Sequence, residues 1–234
     1  MLNLPLDRST SELPRLARSR QSLPELQLAL MDPVHPQRAL AESFMQAIFR
    51  DAYQASLTSF YPQLLTITRS DGKYAAVAGF RPAGSQALFS EHYLSEPVEQ
   101  ILHSPRAGIV EIGNLAPASA GQARWLICSL SAFLIGAGFT HVVFTLVPKL
   151  RNAFRRMGLQ LEHLADASAS CLPEAERAEW GSYYSYSPAV YAGDIVNGMP
   201  ALRQLMASDP ALARLSQRAA QLGAAFVRHG EYYA

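Results

Sequence analysis

From Trp125 to Pro148 the chain carries no Asp, Glu, Lys or Arg. A run of that length and apolarity has to leave water, either inside a membrane or between layers of the protein itself. Gly136 and Gly138 divide it and β-branched VVFT follows them, so it reads as a buried helix closed by glycines and then a buried strand. The flanks extend this reading. Ahead of the helix, which is expected from about Gln122 to Ile135, GIVEIGNLA is strand-like and ASAGQ is a turn-rich loop. Behind the strand, Lys149 to Met157 has helical spacing and is closed by Gly158. Strand, small-residue loop, helix, strand, helix is the pattern of a mixed α/β layer.

The remaining segments fit around that centre. Gln37 to Ser56 places Leu40, Phe44, Ile48 and Ala52 at helical spacing, and LLTITRS and KYAAVAGFRP flank the hairpin signal Asp71-Gly72. Ser95-Glu96-Pro97 predicts a capped short helix to about His103. LQLEHLA reads as a strand returning to the sheet, and WGSYYSYSPAVYAG as a final strand or loop pair. Leu202, Leu205, Leu212, Leu215, Leu222 and Phe226 form a helical stripe broken at Asp209-Pro210, which predicts two helices covering their own core, with a homodimer left open. The expected organisation is an irregular arm over 1–35, where prolines recur, one α/β domain over 36–197 and a helical extension over 198–234 packed on it. Its central sheet is expected to be mixed, with helices on both faces.

Charge and cysteine usage narrow the function classes. A formal net charge of +1 gives no general grip on nucleic acid, and of 20 basic residues only Lys73 and Lys149 are lysines. Cys128 and Cys171 match neither a disulfide framework nor a zinc ligand set, so no metal is expected and a reducing compartment is the default. Asp7, Arg8, Glu12, Arg15, Arg18 and Arg20 interrupt the N-terminus, so no Sec-type signal is read there and a cytoplasmic location is expected. No nucleophile elbow, zinc-protease helix motif or phosphate-binding glycine loop is present.

GIVEIGNLAPASAGQARWL puts a strand before a small-residue loop and a helix N-terminus, where free backbone N–H groups and the helix dipole can hold a pyrophosphate. An ordinary βα connection is the plainer account. HVVFTLVPKLRNAFRRMGLQ is similar to the second half of the cofactor site in the GNAT (acyl-CoA N-acyltransferase) fold: Thr145 ends a strand, Asn152 sits on the next helix, and Phe154 precedes Gly158-Leu159. A closer resemblance runs from about Arg50 to Gly193, carried by AAVAGFRPA (Ala75–Ala83), LFSEHYL (Leu88–Leu94), VEIGNLA (Val110–Ala116), FTLVPKLRNAFRRMGL (Phe144–Leu159) and WGSYYSYSPAVYAG (Trp180–Gly193). In these motifs the chain resembles the thermostable hemolysin family, whose members share the GNAT-type fold. FTLVP departs from the more polar strand ending of that family. VEIGNLA also resembles, over a shorter stretch, the Glu-containing strand of acyl-homoserine-lactone synthases.

The resemblance implies an N-acyltransferase that moves an acyl group from an acyl-CoA or acyl-carrier-protein thioester to a small-molecule amine, an amino acid or similar, by direct attack. The catalytic candidates are Glu111, Asn114 and Tyr184. Glu111, buried in an apolar strand, is either a general base or the partner of an arginine such as Arg81. Asn114 and the Leu115 amide either stabilise an oxyanion or cap the strand end. Tyr183 and Tyr184 either protonate the leaving thiolate and line an acyl channel or belong to an aromatic cluster. Cofactor contacts are expected from Leu115, Ala116, Gly121, Gln122, Ala123, Arg124, Thr145, Arg151 and Asn152. Arg81, Glu91, Tyr93, Trp180 and Tyr183 are expected at the acceptor, with His92 beside them either facing it or without a role. A membrane-active hemolysin and a non-catalytic binding module of the same fold are the competing readings.

Overall fold

In the computed structural model, which describes residues 26–228, the chain begins with β1 (Gln27–Met31), α1 (Arg38–Tyr53) and the hairpin of β2 (Gln63–Thr68) and β3 (Tyr74–Pro82). A 3-10 turn (Phe89–His92) and α2 (Val98–Ile101) lead to β4 (Ile109–Pro117), α3 (Ala120–Gly136), β5 (His141–Leu146) and α4 (Pro148–Arg156). β6 (Glu162–Asp166), α5 (Glu174–Glu179), β7 (Ala189–Asp194), α6 (Met199–Ala207) and α7 (Pro210–Arg228) complete the fold. The uncharged run is α3 and β5, as the glycine break predicts, and Asp209-Pro210 separates α6 from α7. The short α2 begins only at Val98, with Pro97 (φ −53°, ψ 140°) as its N-cap, two residues after the expected cap Ser95.

Seven strands form one sheet in the order β1-β2-β3-β4-β5-β7-β6. Every pairing among them is antiparallel except β4 with β5. β1 corrects the expectation of an irregular arm to residue 35: Gln27–Met31 pairs with Thr68–Leu64 along the hairpin, and Met31 is buried against α1. The part of that arm over 1–25 lies outside the described residues.

Side-chain alternation along the strands separates the two faces of the sheet. Val110, Ile112, Phe80, Val142 and Phe144 face α3, α4, α6 and α7, whereas Leu64, Val77 and Ala116 face α1. The C-terminal stripe is used internally: Leu212, Leu215, Ala219 and Phe226 are buried in the α3-side core. α3 and α7 approach so closely that a Cβ on Gly136 would stand 2.1 Å from the Ala220 carbonyl oxygen, and one on Gly223 would stand 2.0 Å from that of Phe133. Among the described residues, no helix is long and apolar enough to cross a membrane.

Two features of β4 position the site. Its parallel ladder with β5 runs from Ile109↔His141 to Ile112↔Phe144 and stops there, although both strands continue. Opposite β3, Gly79 pairs with Gly113 and Val77 with Ala116, so Asn114 and Leu115 stand against the single residue Ala78. Asn114 takes a left-handed φ of 48° at this bulge. The extra residue moves Ala116 onto the α1 face and lets β4 part from β5.

Candidate active site

A cavity of about 460 Å³ occupies the gap where β4 and β5 diverge. Gly113, Asn114 and Leu115 line it from β4, and Thr145 and Val147 from the end of β5. The divergence removes ladder partners from this part of both strands, and unpaired polar groups are left in the walls. Asn114 Oδ1, Thr145 Oγ1 and Arg81 Nε are buried there without a hydrogen-bond partner among the described residues. Buried polar atoms are costly to leave unpaired, so such a concentration marks a place where water or a ligand can supply the missing bonds.

Glu111 lies one layer behind this cavity, 1% exposed. It does not form the ion pair with Arg81 that was the alternative reading, although the two are direct cross-strand partners. Its carboxylate instead accepts from the backbone N–H of Phe89 (2.9 Å) and of Ser90 (2.6 Å), capping the Phe89–His92 turn. The Tyr61 phenol stands close enough to Glu111 to feel its charge, and the Tyr61 ring lines the cavity. Burial, and next the negative charge of Glu111, push the Tyr61 phenol well above its usual 10.0, so it stays neutral beside the carboxylate.

Sequence reasoning missed Tyr61, yet the chain carries a signal for it. Gly79 and Gly113 face each other in the interior of adjacent strands, and together they leave a bare strip of sheet on which the Tyr61 ring lies. Arg81 covers the other side of that ring, its guanidinium carbon 4.9 Å from the centroid. The backbone is held too: Arg38 of α1, paired with Glu42, donates to the carbonyls of Tyr61 and Pro62, both at 2.7 Å.

The opposite wall is aromatic. Trp180 stacks near Phe89 and Tyr183, with centroids at 5.7 and 5.1 Å, and meets Phe49 edge-on. The segment after α5 is tied to the end of α1, since Ser182 donates its backbone N–H to the Tyr53 carbonyl at 2.7 Å. Tyr183 lines the cavity and donates to the Thr145 carbonyl at 3.0 Å. His92 and Phe89 also border it.

The structure therefore gathers Arg81, Asn114, Leu115, Thr145, Trp180 and Tyr183 at one cavity. Other expected site residues lie elsewhere. Tyr184 is off the wall, its hydroxyl bonded to that of Tyr93, and burial pushes its phenol up to about 12. Glu91 is turned outward into an ion-paired cluster with Arg106, which also binds Glu99, and it accepts from the Leu88 backbone. Ala116 packs under α1. Gly121, Gln122, Ala123 and Arg124 form the first turn of α3, outside the cavity wall; apart from its chain neighbours and its own turn of helix, nothing lies within 4 Å of where a Gly121 side chain would begin. Arg151 donates to Asn152 at 3.2 Å in the first turns of α4, next to the cavity residue Leu150.

Glu91 supplies a test of the frame that carries the cap of Glu111. The Arg106 guanidinium beside it holds its carboxyl down to about 2, from 4.5. A depressed folded value means the stabilisation is present above the unfolded value and is lost as pH falls from 4.5 towards 2. Glu91→Gln is expected to flatten that part of a Tm-against-pH curve. At neutral pH it should lower Tm by roughly 2–4 °C, equivalent to about 1 kcal/mol after solvent screening. An unchanged acid limb in the variant would contradict the assignment.

The model of a family described as thermostable hemolysin matches residues 31–199 of the chain. No protein of curated function matches it in sequence. Solved structures match in fold at low identity. TofI, crystallised in a ternary complex with an inhibitor and MTA, has a TM-score of 0.56 at 17% identity over 80% of this chain and 99% of its own. BjaI, a CoA-dependent acyl-homoserine lactone synthase with SAM and isopentyl-CoA, gives 0.51 at 13% over 82% and 100%. FeeM, an N-acyl amino acid synthase from uncultured soil microbes, gives 0.50 at 12% over 74% and 93%. The fold is the GNAT-like α/β fold, with its mixed sheet and flanking helices.

Proposed function

The chain belongs to the thermostable hemolysin family, and from that premise and the opened β4–β5 cavity we propose that it is an N-acyltransferase acting on an acyl thioester and a small amine. The observation that carries this reading is the cavity itself. Unpartnered polar groups line it where the parallel ladder stops, and the Tyr61 phenol that lines it stands within the field of the buried Glu111 carboxylate. Fold likeness to acyl-transferring proteins supports the reading; the site chemistry is what makes it specific.

In the proposed reaction the thioester lies along β4 with its carbonyl beside Asn114, whose carboxamide N–H and neighbouring backbone offer donors to the developing oxyanion. The acceptor nitrogen attacks the carbonyl carbon directly, so a C–N bond forms as the C–S bond breaks. The nitrogen's proton passes to the Tyr61 oxygen as the phenol passes its own to Glu111, and the departing thiolate is finally protonated to the free thiol. The open first turn of α3 at Gly121, with Arg124 and Arg151 nearby in the fold, is the proposed seat for the donor's phosphates, whether CoA or a carrier protein bears them. Lysis, if it occurs, then comes from a surface-active acylated product. The C-terminal stripe that a direct lysin would need is packed against α3.

Purified protein incubated with acyl-CoA and acyl-carrier-protein thioesters of graded chain length, with a panel of amines, is expected to release free thiol together with an amide product. Liposomes provide the second arm. Leakage caused by the protein alone, with no thioester turned over, overturns the proposal in favour of a direct lysin.

A further inference from the structure

Resting on that acyl-transfer reading, we infer that the acceptor is a zwitterionic α-amino acid with an aromatic or large aliphatic side chain, its carboxylate held by Arg81. Arg81 is the reason. Its Nη1 donates to the Ala87 carbonyl at 2.9 Å and its guanidinium carbon stands 4.9 Å from the Tyr61 ring centroid, so two contacts anchor the head group at the cavity wall. Yet no carboxylate of the described residues lies within ion-pair distance of it, and its Nε is buried without a partner. Glu111, directly across the strand, has both oxygens committed to the Phe89 and Ser90 amides. An oriented guanidinium with unfilled donors at a cavity wall calls for a planar anion, and a carboxylate fits it.

The remaining walls define the rest of the molecule. Phe49, Phe60, Phe89 and Trp180 offer apolar and aromatic surface for a side chain. Glu176 and Glu179 of α5 add negative charge on a separate wall, so a zwitterion matches the lining better than a bare anion does. Held by its carboxylate beside the Tyr61 ring, the acceptor presents its nitrogen near the phenol that leads to Glu111. The ammonium first gives one proton to solvent; the neutral nitrogen then attacks, gives up a second proton by that route as the amide bond forms, and that proton leaves with the displaced thiol.

Matched acceptors test this on the wild-type protein. With one thioester donor, phenylalanine, phenylalanine amide and phenethylamine differ only in the carboxylate. Phenylalanine is expected to be preferred in kcat/KM by on the order of 100-fold or more, because the amide and amine leave the guanidinium unpaired. Arg81→Met should raise the KM for phenylalanine and erase the preference, while Arg81→Lys restores part of it; circular dichroism checks that both fold. Equal or better use of the amide or amine by wild-type protein overturns the inference and leaves acyl transfer intact. Absence of thiol release with every acceptor is the failure of the acyl-transfer reading instead. Calorimetric titration of phenylalanine against phenethylamine then decides the carboxylate site: selective phenylalanine binding lost in Arg81→Met supports it, and no selectivity overturns it.

Discussion

Glu111→Gln is expected to leave a folded protein whose thiol release is slower by a factor on the order of 10²–10⁴, the usual worth of a positioned general base. The substitution also has a structural cost, which makes the comparison informative. The carboxylate accepts from two backbone amides, and a glutamine keeps one oxygen for them while turning an NH₂ towards the other donor. Loss of about 1–3 kcal/mol of stability follows from one unsatisfied buried amide. A residue that only capped the Phe89–His92 turn would show that stability loss with kcat near wild type. Tyr61→Phe separates the roles cleanly, since it removes the proposed hydroxyl relay and leaves both backbone bonds of Glu111 in place. Because the proton reaches Glu111 through that phenol, it is expected to lower kcat by a similar factor, on the order of 10²–10⁴, with a small change in Tm. The phenol sits well above 10.0, so no tyrosine titration should appear in the wild-type pH–rate profile at neutral pH. Steady-state thiol release and thermal denaturation of the two variants are the measurements, and full activity in both would remove Glu111 and Tyr61 from the chemistry.

The layout of β4, α3, β5 and α4 was legible because burial writes a period into sequence, and Gly136, Gly138 and Gly158 punctuate it. β1 was hidden for the same reason in reverse. QLALM is short, lacks β-branched residues and sits among prolines, and only its pairing with β2 makes it a strand. In the site, Arg81, Asn114, Leu115, Thr145, Trp180 and Tyr183 were readable from motifs. Their neighbours Glu91 and Tyr184 share those motifs but point elsewhere, because adjacency in sequence does not fix which side of a 3-10 turn a side chain takes. Tyr61 lies in the loop between α1 and β2, within none of the motifs, and becomes visible only when Gly79 and Gly113 are seen to be cross-strand partners.

That pairing yields the other large effect. Gly113→Ala adds one methyl group, at a backbone position whose φ suits any residue, and it is expected to abolish most activity while lowering stability by roughly 1–3 kcal/mol. The new Cβ would lie 2.2 Å from Cε2, 2.5 Å from Cζ and 2.6 Å from the hydroxyl oxygen of Tyr61. The ring can yield only towards the cavity it lines. Its Cβ end rests over Gly79, its backbone is clamped by Arg38, and Arg81 lies on its outer face. Relief comes from swinging the phenol away from Glu111, so the chemistry suffers more than the fold. Gly79→Ala meets the fixed Cβ end of the ring and is expected to shift the balance towards lost stability. A double-mutant cycle with Tyr61→Ala checks the cause: once the ring is gone, alanine at 113 should cost little in Tm, giving a coupling of about 1–2 kcal/mol. Additive losses would instead locate the damage in the β3–β4 ladder, and Tyr61 would lose its place as the bridge between cavity and carboxylate.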